Sequence, residues 1–130
     1  MPTAHVNGTG IYYESHGSET NPSIVFAHGR GGNTLSWWQQ IRFFSEKYRC
    51  ITFDHRGWGK SPTSDSIKYR EYFADDLSSL LDNLGIYQTF LVAQSMGGFS
   101  CLEFALHHPE RTYGLVLADT TGGVSTTVTL

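Results

Sequence analysis

Short apolar runs alternate along this chain with segments whose apolar residues recur at helical spacing. Four continuous apolar runs are typical of buried strands: Ser23–Ala27, Cys50–Phe53, Thr89–Ala93 and Gly114–Ala118. Because these runs do not alternate with polar residues, we expect both faces of each strand to be covered. The pattern predicts an α/β fold in which a doubly wound, mostly parallel sheet lies between helices.

The segments between the strands are predicted to be helices. The first places apolar residues at Trp37, Ile41, Phe44 and Tyr48, and Ser36 with Gln39 forms a predicted capping box. The second runs from Tyr69 to Leu84, with Gly85 placed to cap it, and the third from Met96 to about His108, where Pro109 ends it. At the start of the chain, Ala4–Val6 and Ile11–Glu14 predict a hairpin across Asn7-Gly8.

Composition narrows the possible partners. The chain has 130 residues, which suits one domain, and a net charge of -3 from 9 Lys and Arg against 12 Asp and Glu. This balance provides no basic field, so we expect no nucleic-acid partner. The first ten residues are polar and no apolar run approaches membrane-helix length, which predicts a cytoplasmic protein without membrane contact. Cys50 and Cys101 are expected to be buried thiols. The oligomeric state is left open.

Ser95 is the strongest chemical signal in the sequence. It stands where the strand Thr89–Ala93 meets Gly97, Gly98 and a new helix. A tight strand-to-helix turn forces its central residue into strained backbone angles and exposes the side chain above the sheet. Small residues must flank such a turn, as Ala93 and Gly97 do. We therefore predict that Ser95 is a nucleophile, although the five-residue pattern A-x-S-x-G alone is weak.

Two further motifs follow strands in a fixed order. His28-Gly29-Arg30-Gly31-Gly32 follows the strand Ser23–Ala27, and Asp54-His55-Arg56-Gly57-Trp58-Gly59 follows Cys50–Phe53. With these motifs, the chain resembles the alpha/beta-hydrolase superfamily from about Val6 to Gly123, in particular its esterase, lactonase and C-C hydrolase branches. The resemblance implies the alpha/beta-hydrolase fold and a serine hydrolase scaffold that acts on a small-molecule substrate and needs neither cofactor nor metal.

The resemblance also implies roles for the residues around Ser95. The backbone N–H groups of Met96 and Arg30 would form the oxyanion hole. The Arg30 side chain would either meet an anionic substrate in the cleft or lie solvated at the surface. The other residues expected to support the site or touch substrate are His28, Gly29, Gly31, Trp58, Gln94 and Gly97. Asp54 and Arg56 are expected to fasten their loop.

The partners of Ser95 are harder to find. In this superfamily the acid and then the histidine follow the nucleophile along the chain, yet no histidine lies beyond His108. His107 and His108 are about 18 Å from Ser95 along the helix, too far to act as base. His28 and His55 follow strands on the correct side of the sheet, but His28 matches a structural histidine of the family. Asp119 is a candidate for the acid, as it ends the last predicted strand. We expect the triad to be incomplete.

The end of the sequence resembles the point where related hydrolases begin a helical cap. We therefore expect residues 1–119 to form the amino-terminal part of the hydrolase core, truncated after its sixth strand. Residues 120–130 would begin a cap insertion or form a disordered tail. The predicted activity is hydrolysis of an ester, lactone or C-C bond through an acyl-serine, with little activity in the isolated chain.

Two other functions stay open from the sequence. One is a non-catalytic module that binds a small molecule or a partner with Ser95 as a remnant. The other is a cofactor-free haloperoxidase-like or lyase activity on the same turn. Dehalogenases and epoxide hydrolases of this superfamily use Asp as nucleophile, and Ser95 argues against both.

Overall fold

A computed structural model describes residues 2–62 and 69–120 of the chain. Six strands and three helices are present among them: β1 (Thr3–Val6), β2 (Thr9–His16), β3 (Ser23–Ala27), α1 (Trp38–Phe44), β4 (Arg49–Phe53), α2 (Phe73–Asn83), β5 (Thr89–Gln94), α3 (Gly98–His107) and β6 (Thr112–Ala118). The predicted beginning of a cap over residues 121–130 lies outside the described residues. No helix in the described part of the chain is long and apolar enough to cross a bilayer.

The six strands form one mixed sheet in the order β1-β2-β4-β3-β5-β6. β1 and β2 pair antiparallel, as do β2 and β4, whereas β4, β3, β5 and β6 run parallel to one another. The predicted parallel arrangement is therefore confirmed for four strands. Because β3, β4 and β5 are adjacent and parallel, the loops that follow them emerge at the same edge of the sheet.

Both faces of the sheet are covered, as the apolar runs predict. Ile24 and Phe26 of β3 point to one face, where they meet Trp37 and residues of α1. Val25 and Ala27 point to the other face and belong to the larger core, which includes Leu77, Leu80 and Leu81 of α2 and Cys101 and Phe104 of α3. The alternation of side chains along β3 therefore joins both helical layers to one strand.

The amino-terminal hairpin turns at the predicted residues. Asn7 has φ 49° and Gly8 φ 78°, so both central residues of the turn have left-handed backbone conformations. Asn and Gly tolerate these angles better than other residues, which makes this dipeptide the usual choice for a two-residue hairpin turn.

Several predicted element boundaries were wrong by a few residues. The predicted capping box at Ser36 and Gln39 is instead formed by Asn33 and Ser36, because the chain enters its helix through an earlier 3-10 turn at Thr34–Trp37. Similarly, 3-10 turns at Tyr69–Tyr72 and Ser95–Gly97 precede α2 and α3. β6 starts at Thr112, since Thr112 already pairs with Thr89 across an irregularity in the register.

Candidate functional site

Ser95 occupies a strained turn between β5 and α3. Its φ is 48°, a left-handed conformation that side chains rarely adopt, whereas Gln94 before it is extended at φ -118°. Ser95 is exposed, although the strand before it and the helix after it are largely buried. The predicted backbone strain is confirmed, and the side chain is accessible from solvent. Among the described residues, no side chain hydrogen-bonds to Ser95 Oγ.

The turn requires a very small residue at position 97. A Cβ atom built on Gly97 would lie 2.3 Å from the carbonyl oxygen of Ala27, a distance that no real Cβ contact reaches. Ala27 itself pairs in register with Ala93, and both are fully buried. Two alanines and one glycine therefore allow the turn to lie directly against the end of β3.

The turn after β3 lies beside Ser95 and is held by His28. The backbone N–H of His55 donates to His28 Nε2 at 2.9 Å, so the ring proton is on Nδ1, which donates to the Gly29 carbonyl at 2.7 Å. Because the Gly29 carbonyl and the Arg30 N–H belong to one peptide plane and point in opposite directions, this bond also orients the Arg30 N–H. That N–H donates to no other described residue, and a Cβ on Gly29 would lie 3.4 Å from Ser95 Cβ.

His55 joins the turn after β4 to the first turn of α3. Ser100 Oγ donates to the Gly97 carbonyl at 2.9 Å and lies 2.9 Å from His55 Nε2, which therefore carries the ring proton. The Nδ1 atom of His55 is buried without a hydrogen-bond partner. Burial lowers the pKa of His55 well below its usual value, and the neighbouring His28 adds to this effect. Burial likewise lowers the pKa of His28, with partial compensation by its bond to Gly29 and by Asp54.

Asp54 and Arg56 fasten the loops around the site, as expected. Asp54 accepts from the backbone N–H of Thr34 at 2.7 Å and from that of Lys60 at 2.8 Å. Arg56 donates to both carboxylate oxygens of Asp76 at 2.9 Å and so ties the β4 loop to α2. Both charged side chains therefore form contacts that hold the loops in place.

A cleft of about 920 Å³ opens above Ser95. Its apolar wall consists of Trp58, Phe73, Met96 and Phe99, and its charged residues are Arg30, Arg70, Glu71 and Asp119. A smaller pocket of about 200 Å³ adjoins it and is bounded by Gly29, Arg30, Gly32, Gln94, Ser95 and Asp119. A mixed apolar and polar cleft of this size suits a small organic molecule.

The structure brings most of the predicted site residues to this cleft. Ser95, Met96, Arg30, Trp58 and Asp119 line it directly, and Gly29 and Gln94 line the adjoining pocket. His28 and Gly97 lie buried below, where they fix the backbone. Gly31 is exposed with φ 79° and lines neither space.

Five residues of the site were missed from the sequence. Arg70, Glu71, Phe73 and Phe99 line the cleft, and Thr120, which also lines it, donates from Oγ1 to the Ser95 carbonyl at 2.5 Å. Phe99 could have been found, because it lies four residues after Ser95 and so faces the same side of the helix. Arg70 and Phe73 carried no such signal, since only the fold brings the start of α2 to the cleft.

No metal site accompanies these groups within residues 2–62 and 69–120, where no three His, Cys, Asp or Glu side chains lie close enough to hold an ion. The two cysteines are buried, and burial raises the pKa of Cys50 to about 11 and that of Cys101 to about 12. Neither thiol is therefore a candidate nucleophile at neutral pH.

Comparison with known proteins gives a consistent result. A profile of the alpha/beta hydrolase fold matches residues 22–129. The chain is 33% identical to the 3-oxoadipate enol-lactonase 2 of Acinetobacter baylyi, over 92% of this chain and 47% of the relative. It is 38% identical to the epoxide hydrolase 2 of Siraitia grosvenorii, over 88% of this chain and 36% of that protein.

Solved structures agree. The enol-lactonase of Burkholderia xenovorans superposes with a TM-score of 0.87 at 30% identity, over 92% of this chain and 46% of that one. The chain thus spans less than half the length of these relatives. From the profile match, the sheet order and the position of Ser95, the chain belongs to the alpha/beta hydrolase family.

Proposed function

We propose that this chain carries the nucleophile and the oxyanion hole of a serine hydrolase that acts on a carbonyl substrate, namely an ester, a lactone or an activated C-C bond. One observation carries the proposal: Ser95 is held at φ 48° by close packing and is exposed at the floor of the cleft. A serine at such a strained, exposed position has no structural purpose that another residue would not serve at lower cost.

The two oxyanion donors would be the backbone N–H groups of Arg30 and Met96. The Arg30 N–H is oriented through His28 and has no partner among the described residues. Met96 follows Ser95 at the beginning of a helical segment, where backbone N–H groups lack intrahelical partners. Both donors are fixed before substrate binds, which is the condition under which such hydrogen bonds stabilise a developing negative charge.

The general base would have to be a group other than the histidines of this chain. His28 uses both ring nitrogens, and His55 is buried with its proton directed to Ser100. His5 and His16 lie on β1 and β2, at the far side of the sheet from β5, and His107 and His108 lie at the carboxyl end of α3. Asp119 lines the cleft beside Ser95 and remains the candidate acid. We therefore expect weak activity from residues 1–130 alone.

The chemistry of serine favours a carbonyl substrate over an epoxide. When a serine oxygen attacks a carbonyl, the product is an ester that water can hydrolyse in a second step. Attack on an epoxide carbon would instead leave an ether, which water does not cleave under these conditions. The likeness to an enol-lactonase therefore bears more directly on the substrate than the likeness to an epoxide hydrolase.

A binding module is the second candidate, because no described histidine is available to Ser95. In that case the cleft would hold a small molecule without reaction. The two functions differ in whether Ser95 reacts once a base is present.

The test supplies the missing base from solution. Residues 1–130 are treated with an alkyl fluorophosphonate, with and without imidazole, and the phosphonyl adduct is followed by intact mass and peptide mapping. Because imidazole can take the serine proton, we expect labelling at Ser95 to become about tenfold faster with imidazole. Ser95→Ala should abolish the adduct, and the exposed Ser18→Ala should leave it unchanged.

Two results would overturn the proposal. If imidazole produces no adduct at Ser95 while the protein remains folded, the binding module becomes the better function. If labelling is fast without imidazole and is lost in His28→Ala or His55→Ala, the base is one of those histidines and the structural role given to them is wrong.

A further inference from the structure

Two arginines of the cleft lack, among the described residues, the hydrogen-bond partners that the buried arginines have. Arg56 forms a bidentate pair with Asp76, and Arg111 pairs with Asp82 and donates to two backbone carbonyls. Arg30 and Arg70 are exposed, line the cleft with Ser95, and have neither an ion pair nor a hydrogen bond with any described side chain. Because these two guanidinium groups lie in the cleft with Ser95, we infer that the substrate of the Ser95 site carries a carboxylate, which Arg70 binds with help from Arg30.

Arg70 is the better placed of the two for this contact. The carbon of its guanidinium lies 4.8 Å from the centre of the Phe99 ring. This contact lies on one side of the guanidinium, and the N–H groups form no hydrogen bond with a described residue, so they can donate to a ligand. Two parallel N–H donors match the two oxygens of a carboxylate, a geometry that a lysine would not offer.

The position of Phe99 sets the distance between the carboxylate and the reacting carbonyl. Phe99 lies four residues after Ser95, which corresponds to roughly 6 Å along a helix axis. A short aliphatic spacer between carboxylate and ester would cover that distance. Its methylene groups would lie along the apolar wall that Phe73 and Met96 provide.

Two carboxylates also line the cleft, so the arginines can attract an anion only at short range. Glu71 follows Arg70 in a 3-10 turn, where successive side chains point about 120° apart. Asp119 borders the smaller pocket together with Arg30, so part of the Arg30 charge is balanced there. With two positive and two negative groups, the cleft has no strong field. Selection for an anion would therefore depend on direct hydrogen bonds to Arg70.

This inference rests on the proposed function only for the position of the reacting bond, and binding tests it separately. The full chain carrying Ser95→Ala is titrated with monomethyl glutarate, which has one carboxylate, and with dimethyl glutarate, which has none. Ligand-observed NMR gives both dissociation constants. We expect the monomethyl ester to bind about tenfold more tightly, as a charge-assisted bidentate contact allows.

Variants test which arginine produces the preference for the monomethyl ester. Arg70→Gln should remove most of the preference for the monomethyl ester and leave binding of the dimethyl ester unchanged. Arg70→Lys should retain part of the preference. Arg30→Gln should reduce the preference less than Arg70→Gln does. Arg42→Gln is the matched control, because Arg42 is exposed on α1 and does not line the cleft. Near-ultraviolet circular dichroism verifies that each variant is folded.

The outcomes separate this inference from the proposed function. Equal affinity for the two esters, or equal losses for both in Arg70→Gln, would overturn the carboxylate assignment even if Ser95 reacts with the fluorophosphonate. A clear preference that depends on Arg70, found together with an unreactive Ser95, would support carboxylate binding and disprove the hydrolase.

Discussion

At the scale of single residues, the site depends on backbone positions that exclude ordinary side chains. The exposed position of Ser95 requires a left-handed φ, which destabilises a residue with a Cβ by about 1 to 3 kcal/mol. The cost is offset by packing on both sides of the turn, where Gly97 lies against Ala27. The left-handed conformation of Ser95 therefore depends on the close packing of Gly97 against β3.

Gly97→Ala should disrupt the turn. The new Cβ would lie 2.3 Å from the Ala27 carbonyl oxygen, and neither backbone can withdraw without breaking the pairing of β3 with β5. We expect a loss of at least about 3 kcal/mol in the free energy of unfolding, comparable to severe overpacking of a core. Urea denaturation followed by circular dichroism measures it.

Gly85→Ala is the control for this substitution. Gly97 has a right-handed backbone at φ -59°, so its substitution introduces a clash without conformational strain. Gly85 is left-handed at φ 70° and a Cβ there would meet nothing within 4 Å, so its substitution introduces only the strain, about 1 kcal/mol. If the two variants lose equal stability, close packing at Gly97 does not hold the turn.

At the scale of elements, β6 is the most exposed part of the sheet. It pairs with β5 on one side and with no described strand on the other. Val116 is 56% and Tyr113 55% exposed, and both are apolar or aromatic. An open apolar edge strand is a template for pairing with another chain. Residues 1–130 in isolation should therefore self-associate through β6.

Val116→Lys should reduce this association. A lysine on an edge strand would have to be buried, with its charge, by any strand that paired there. The free energy of unfolding should change by less than about 0.5 kcal/mol, since Val116 is mostly exposed already. Sedimentation velocity over a range of concentrations measures the association. Leu106→Lys, at an exposed site on α3, should leave the association unchanged. If Val116→Lys associates as strongly as the unmodified chain, the β6 edge is not the cause of the association.

The elements differ in how well the sequence predicts them, for physical reasons. Buried strands such as β3 appear as continuous apolar runs, and the Ser95 turn has a local steric requirement for small neighbours, so both were predictable. Helix starts were not, because the 3-10 turn before α2 has the same apolar spacing as the helix itself. Arg70 reaches the cleft through the packing of α2 against α3, a long-range contact that no local pattern encodes.

At the scale of the whole molecule, the site and the core share one buried polar network. His28 connects the β4 loop to the turn after β3, and His55 connects the same loop to α3 through Ser100. The His55 ring is enclosed by the rings of Phe53, Phe73 and His28, with centroids 4.5 to 4.6 Å away. His28 must be neutral to accept from the His55 N–H, and a charge on His55 would be buried without a partner, so protonation of either opposes the folded state.

The stability of the protein should consequently fall as the pH drops below 6.5. The pKa of both histidines is lowered in the folded state from a usual value of 6.5, so below that pH the unfolded chain binds more protons than the folded one. Stability is therefore fully present above 6.5 and is lost towards lower pH, at up to about 1.4 kcal/mol per pH unit for each histidine. The pKa of Glu14 is lowered from 4.5, because hydrogen bonds from Tyr12, His16 and Thr34 outweigh its burial. Glu14 therefore contributes to the pH dependence of stability only at lower pH.

Urea unfolding between about pH 5 and about pH 7.5 isolates the histidine contribution, because carboxylates stay ionised in that range. His55→Leu should reduce the slope of unfolding free energy against pH by about half, because it removes one of the two histidines whose pKa is lowered. This expectation does not depend on how the substitution changes stability at any one pH. A flat profile in the unmodified chain would mean that His28 and His55 can be protonated in the folded state, and the buried network could then not hold the Arg30 N–H in place at acidic pH.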